Sequence, residues 1–322
     1  MATPDARCQP HRYRARRGAD HRAGQARSGI GGQARCSGRA RTQAFLAGQE
    51  TSMHIDQGRR HLMFALPVVA LLSACVRPSK ALRGGWGQFA ADAGRVIDNS
   101  AWDAFLARYV RASVDGVNRV AYAEAAAADA QMLRPYLTSL EAVDPATLAR
   151  DEQMAFWINL YNAATVDLIL QQPGVKSIRD LGPLTLGPWD RKIITLAGNR
   201  LSLNDVEHGI LRPIWRDVRI HYAVNCASIG CPNLAPQAYT AARLEAMLEQ
   251  AAIDFINHPR GFARVDGKLR ASSIFNWYGS DWGSVGDIIA HARRYARGDT
   301  SALFADATGI DSYAYDWALN AA

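Results

Sequence analysis

From Asn99 onward the chain carries the apolar spacing of helices. Trp102, Phe105, Leu106 and Tyr109 fall three and four apart and predict a helix with one buried stripe. Gln131 to Leu140 and Pro145 to Leu170 read as two further helices. Within the last, residues 154–170 (MAFWINLYNAATVDLIL) are apolar enough to be buried on most sides, yet they include Asn159 and Asn162 on one face. A buried amide is costly without partners. These two therefore either tie the helix to a neighbouring loop or line a polar cleft.

Past Pro188 the pattern shortens. Lys192–Leu196 and Arg200–Leu203 flank Ala197-Gly198-Asn199 and predict a hairpin. Ser202 with Asp205 forms a capping-box pattern that opens a short helix through His208 to Leu211, with Pro213 expected to end it. Val218, Ile220, Tyr222 and Val224 alternate with Arg219, His221 and Ala223, the pattern of a half-buried strand running into the loop 225–232 (NCASIGCP). Thr240–Asn257 is patterned as an amphipathic helix, with Leu244, Met247, Leu248, Ala251 and Phe255 on one face. Asp266-Gly267 marks a tight hairpin, and helices are expected from Ser273 and from Val285. Helices interspersed with short hairpins predict an α+β fold: a single domain over residues 99–322, with helices packed around a small, largely antiparallel sheet.

Charge changes this picture only at the N-terminus. Of the formal net charge of +7, residues 1–52 supply all, with ten Arg against Asp5, Asp20 and Glu50. Residues 53–74 add one positive charge, and the chain from Cys75 onward is at −1. The folded part thus lacks the basic excess of a nucleic-acid binder, and no nucleic-acid partner is expected. Residues 1–52 lack aliphatic periodicity and read as a basic disordered leader that precedes the native start at Met53. After Met53 come a short basic stretch with Arg59 and Arg60 and then an apolar run, residues 62–72 (LMFALPVVALL). That run is shorter than the roughly 20 residues a membrane-spanning helix needs and suits a secretory signal over residues 53–74.

The sequence Leu72-Ser73-Ala74-Cys75 resembles the lipobox of bacterial lipoproteins. The resemblance implies cleavage before Cys75, a lipid anchor on that cysteine, and a periplasm-facing position in a bacterial cell envelope. Val76, in place of an aspartate, leans this toward the outer membrane. Residues 75–98, with Pro78, Gly84, Gly85 and Gly87, read as a tether. The partners expected are a membrane, through the lipid, and an envelope substrate or protein of unspecified identity.

Two cysteines remain for chemistry, Cys226 and Cys231, in one loop after His221. Three readings apply. In the first, an exported domain meets oxidising conditions, and the pair closes a disulfide that pins the loop of a non-catalytic binding or scaffold module. Alternatively, a cysteine beside a histidine is a candidate nucleophile for hydrolysis or acyl transfer. Cys226 would attack, His221 or His208 would act as base, and Asp281 or Asn159 would orient the imidazole. Third, His208, His221, Cys226 and Cys231 have the donor types of a zinc site, though not the spacing of a familiar finger; otherwise no cofactor is expected. His258 and His291 read as surface side chains. No phosphate-binding glycine loop, Gly-x-Ser-x-Gly elbow or His-Glu-x-x-His motif is present, which removes those enzyme classes.

Residues 145–283 resemble the family called domain of unknown function 547. The resemblance rests on residues 156–162 (FWINLYN), 203–212 (LNDVEHGILR), 219–228 (RIHYAVNCAS) with Cys231-Pro232, and 273–278 (SIFNWY), in that order. It implies that Asn159, Asn162, Glu207, His208, His221, Cys226 and Cys231 belong to a shared pattern, and that a polar cleft would include Asn162, Glu207 and Cys231. It implies no reaction.

Overall fold

The computed structural model describes residues 79–91 and 94–322, which lie within one compact unit spanning Val68–Ala322. The leader, the signal segment and Cys75 lie outside the described residues. The fold is α+β. In chain order it runs α1 (Ser100–Tyr109), β1 (Val110–Ala112), β2 (Asn118–Val120), α2 (Tyr122–Asp129), α3 (Arg134–Glu141), α4 (Arg150–Leu170), β3 (Ile194–Leu196) and β4 (Asn199–Leu201). There follow a π-helical segment (Asp205–Leu211) continuous with α5 (Arg212–Trp215), then α6 (Ile220–Ala223), α7 (Leu244–Ile256), β5 (Phe262–Val265) and β6 (Lys268–Ser272). The chain closes with α8 (Ile274–Trp277), α9 (Val285–Tyr295), α10 (Gly298–Leu303) and β7 (Ser312–Ala314). Among the described residues no helix is long and apolar enough to cross a membrane.

The centre is α4, buried along nearly its whole length and packed by α2, α3 and the π-helical segment. The stripe Trp102, Phe105, Leu106 and Tyr109 is buried as its spacing requires. Each such side chain withdrawn from water contributes about 1.5–3 kcal/mol. A second core gathers Tyr222, Phe255, Phe262, Phe275 and α9 around the hairpin β5–β6. The sheets are three separate small ones rather than one: β1–β2 and β3–β4 are antiparallel pairs, and β7 joins β6 in parallel to make a three-stranded sheet. Both tight hairpins turn on two residues with positive φ, Ala197-Gly198 and Asp266-Gly267. That geometry matches the twist of the flanking strands.

The structure differs from the sequence pattern in four places. Residues 220–223 are helical, not extended. Ile220, His221, Tyr222 and Ala223 are all buried, so alternation there carries no face information. Pro213 does not end its helix. The Arg212 N–H bonds five residues back to the Glu207 carbonyl, and the helix continues to Trp215. Pro213 has no N–H to offer the carbonyls of His208 and Gly209; the backbone N–H groups of Lys80 (3.3 Å) and Leu82 (2.9 Å) bond to them instead. The third difference follows from the second, because the described part of the segment read as a tether is docked. Besides those two bonds, Trp86 is buried and meets Trp157 edge-on at 5.7 Å. Finally, His258 and His291 are half-buried rather than on the surface. His258 Nε2 lies 2.7 Å from the Asp115 carbonyl, and His291 Nε2 lies 3.0 Å from the Tyr222 hydroxyl.

Gly209 permits the docking, since a Cβ there would lie 2.4 Å from Leu82 Cγ. Gly209→Ala is expected to displace residues 79–82, exposing them to limited proteolysis and destabilising the domain by about 1–3 kcal/mol, the usual range for overpacking. An unchanged cleavage pattern and melting curve would contradict this role.

Candidate functional site

The two cores meet around a cavity of about 400 Å³. Its polar lining includes Glu207 and His208 from the π-helical segment, His221 from α6, and Cys226 and Cys231 from the following loop. The loop is fixed by amides. Asn162 on α4 donates to the Ala223 carbonyl (2.9 Å) and accepts the Asn225 N–H (2.8 Å). Asn225 in turn donates to the Pro232 carbonyl (2.7 Å) and accepts the Ala227 N–H (2.8 Å). The C-terminal segment clamps the loop from outside, with the Ile229 and Gly230 N–H groups donating to the carbonyls of Ala318 and Asp316, both at 2.8 Å.

Cys226 is partly exposed at this cavity and Cys231 is buried; both are free thiols. Cys231 Sγ accepts the Cys226 N–H at 3.0 Å. Cys226 Sγ lies 3.1 Å from the Ser228 hydroxyl and 3.1 Å from the Tyr315 hydroxyl, and those hydroxyls are 2.9 Å from each other. The side chains of Cys231, Ser228 and Tyr315 hold the Cys226 thiol below its ordinary value, against the opposing effect of burial. Burial pushes the Cys231 thiol well up. Of the pair, the sulfur facing the cavity is thus the more acidic and the buried one behind it the less.

A charged network stands beside the thiol. Asp281 Oδ2 is 2.8 Å from His221 Nε2, and Arg212 holds the same carboxylate through two bonds of 2.7 and 2.8 Å. Burial opposes ionisation of Asp281, but these partners keep it well below the usual carboxylate range. An ionised carboxylate only accepts, so His221 carries its proton on Nε2 toward Asp281. Arg212 also reaches His208 Nδ1 at 3.0 Å. Guanidinium only donates, so that nitrogen accepts and neutral His208 keeps its proton on Nε2. The His221 ring is stacked between Tyr278 (4.6 Å) and Trp282 (5.0 Å), which fixes its plane.

The structure therefore brings Cys226, Cys231, Glu207, His208 and His221 to one cavity, with Asp281 orienting His221. It does not bring Cys226 and His221 into a hydrogen bond: the thiol's partners are hydroxyls and the neighbouring cysteine. Because residues 220–223 are helical, His221 is turned toward Asp281 rather than along a strand toward the loop. Asn159 orients neither histidine. Its amide donates to the Tyr239 carbonyl (2.8 Å) and accepts the Tyr239 N–H (2.9 Å), tying α4 to a loop. Asn162 likewise works under the loop and does not line the cavity. Among the described residues no three His, Cys, Asp or Glu side chains are grouped to hold a metal, and His208 and His221 each give a nitrogen to Arg212 or Asp281.

The family model described as "Protein of unknown function, DUF547" matches residues 145–256. This segment is similar to the DUF547 family. It contains α4, the π-helical segment and the Cys226 loop, and so most of the polar lining. No curated protein and no solved structure matches the chain. The DUF547 match stops short of much of the aromatic wall. Trp277, Tyr278, Tyr315 and Trp317, together with Asp281, come from the C-terminal 66 residues, so the cavity is completed from outside the matched span. Arg212 and Tyr315 carried no sequence signal as site residues, since each acquires its role only through a distant partner. The run Tyr313-Ala314-Tyr315-Asp316-Trp317 was the available hint, an aromatic alternation in a C-terminal tail.

Proposed function

We propose that this protein is a lipid-anchored bacterial envelope protein whose DUF547 cavity performs cysteine-dependent hydrolysis or acyl transfer on an amide or ester of the envelope. One observation carries the chemical part: a partly exposed thiol of strengthened acidity shares a cavity with two histidines whose protons are positioned by fixed partners. Cys226 attacks as its thiolate, which the hydroxyls of Ser228 and Tyr315 favour, its proton passing through water to His221 rather than by a direct hydrogen bond. Its sulfur adds to the substrate carbonyl carbon while the C=O electron pair moves to oxygen. When that pair returns, the bond to the leaving amine or alkoxide breaks, and the leaving group takes the proton that Cys226 gave up, relayed through water and held on His221 beside Asp281. Water, losing its proton to the His221–Asp281 pair, then cleaves the thioester and frees Cys226.

The test uses the full chain with p-nitrophenyl acetate. A fast release of nitrophenol matched by an acetyl group on Cys226, read by peptide mass spectrometry, is the expected outcome; acetylation elsewhere alone would overturn the reading. A second reading has its own observation, the packing of Cys231 Sγ against the Cys226 backbone. With those sulfurs oxidised to a disulfide the domain would be a stapled binding or scaffold module.

The envelope placement is supported by the lipobox-like Leu72-Ser73-Ala74-Cys75 and the apolar run before it. In a bacterial host, radiolabelled palmitate is expected on the wild-type chain and absent from Cys75→Ser. Equal labelling of both would remove the anchor.

A further inference from the structure

Glu207 faces the cavity with its side chain 7% exposed, yet its carboxylate makes no hydrogen bond with a described residue. The nearest donors by type are ring nitrogens, His208 Nδ1 at 3.7 Å and His221 Nδ1 at 3.9 Å, both beyond hydrogen-bond reach. Neither carries a hydrogen toward Glu207 in its neutral form. His208 Nδ1 is an acceptor for Arg212, and His221 keeps its proton on Nε2 for Asp281. Two cations lie in the neighbourhood and neither supplies the missing partner. Arg212 is engaged by Asp281 and His208, and Arg179 lies over the Trp317 ring at 5.2 Å without pairing with Glu207. The Glu207 carboxylate thus meets the cavity rather than a protein donor, and whatever fills the cavity must supply its hydrogen bonds.

The rest of the wall fits the missing donor. Tyr161, Trp189, Trp277, Tyr278, Tyr315 and Trp317 line the same space, and the faces of such rings attract a cation. A hydroxyl or amide donor would satisfy one lone pair of Glu207 and leave its charge unbalanced; an ammonium supplies both hydrogen and charge.

We propose that the cavity recognises a substrate bearing a primary ammonium, which donates to Glu207 and is enclosed by the aromatic wall, placing an acyl carbon of the same molecule at Cys226. This rests on the cysteine reading above and specifies its substrate class. Glu207 is then the specificity-determining residue.

The test compares three thiol reagents on the full-length protein, with peptide mass spectrometry reading the adduct at Cys226 alone. The reagents are 2-aminoethyl methanethiosulfonate (cationic), methyl methanethiosulfonate (neutral) and 2-sulfonatoethyl methanethiosulfonate (anionic), each rate divided by that for a free small thiol. The cationic reagent is expected to outpace the neutral one by roughly tenfold or more, within the range that a focused field gives. The anionic reagent should be slower than both. Glu207→Gln should bring the cationic-to-neutral ratio to within about twofold of unity, because a change in thiol acidity cancels in the ratio. A ratio near one in the wild type, or an undiminished preference in Glu207→Gln, overturns the inference while leaving Cys226 as nucleophile. Failure of the neutral reagent to modify Cys226 overturns the cysteine reading and this inference with it.

Discussion

Cys226→Ser is expected to slow acyl turnover by at least about a thousandfold, the scale on which loss of a covalent nucleophile registers. The reason lies in what surrounds the sulfur. Two hydroxyls and the Cys231 thiol favour a sulfur anion, whereas a serine hydroxyl, with its far higher pKa, stays protonated among the same partners and has no histidine within a hydrogen bond to take its proton. Cys231→Ser should behave differently. It removes the neighbour that contributes most to the acidity of Cys226, so the reaction should survive with its pH dependence moved upward. Nitrophenol release from p-nitrophenyl acetate measures both. Equal loss in the two variants would favour a disulfide role, because either substitution breaks a staple equally.

Arg212→Met is the second large effect, and it falls on stability as well as on the site. The Arg212 side chain is 1% exposed and bonds to Asp281 and His208, with its guanidinium 4.8 Å from the Tyr278 ring centre. Methionine preserves much of the volume but leaves Asp281 without its guanidinium, with only the His221 Nε2–H still bonding it among the described residues. Breaking a buried pair from one side costs about 3–5 kcal/mol. In a domain of this size that corresponds to a fall in Tm of about 6–20 °C. Adding Asp281→Leu to the same chain should recover part of the loss, since the stranded carboxylate is then gone. A single variant that melts within about 1 °C of wild type would contradict the buried network.

How much of this was legible in the sequence depended on whether a feature is local. The stripe of α1 and the Asp266-Gly267 and Ala197-Gly198 turns rest on nearest-neighbour geometry, and each forms where the pattern places it. The cavity was partly legible: His208, His221, Cys226 and Asp281 stood out by chemical type, and the fold gathers them. Residues 218–224 misled because a fully buried turn of helix and a half-buried strand share the same apolar positions over so few residues. Pro213 misled because its cost is met from elsewhere in the chain, by Lys80 and Leu82, more than 120 residues earlier. The same holds for Tyr315 with Cys226 and for Arg212 with Asp281, pairs 89 and 69 residues apart that no local rule connects. Asn159 and Asn162 show the converse. Their shared face was readable, but whether that face met a ligand or a loop was decided by Tyr239 and Asn225.

The central claim is that Cys226 is a free, easily ionised thiol at the cavity. It is tested most directly by the rate of iodoacetamide alkylation of the unreduced full chain against pH, read at the Cys226 peptide. The expected profile is half-maximal below the ordinary thiol value of about 8.5 and moves upward in Tyr315→Phe. No alkylation before reduction, or a midpoint at or above that value, would contradict it.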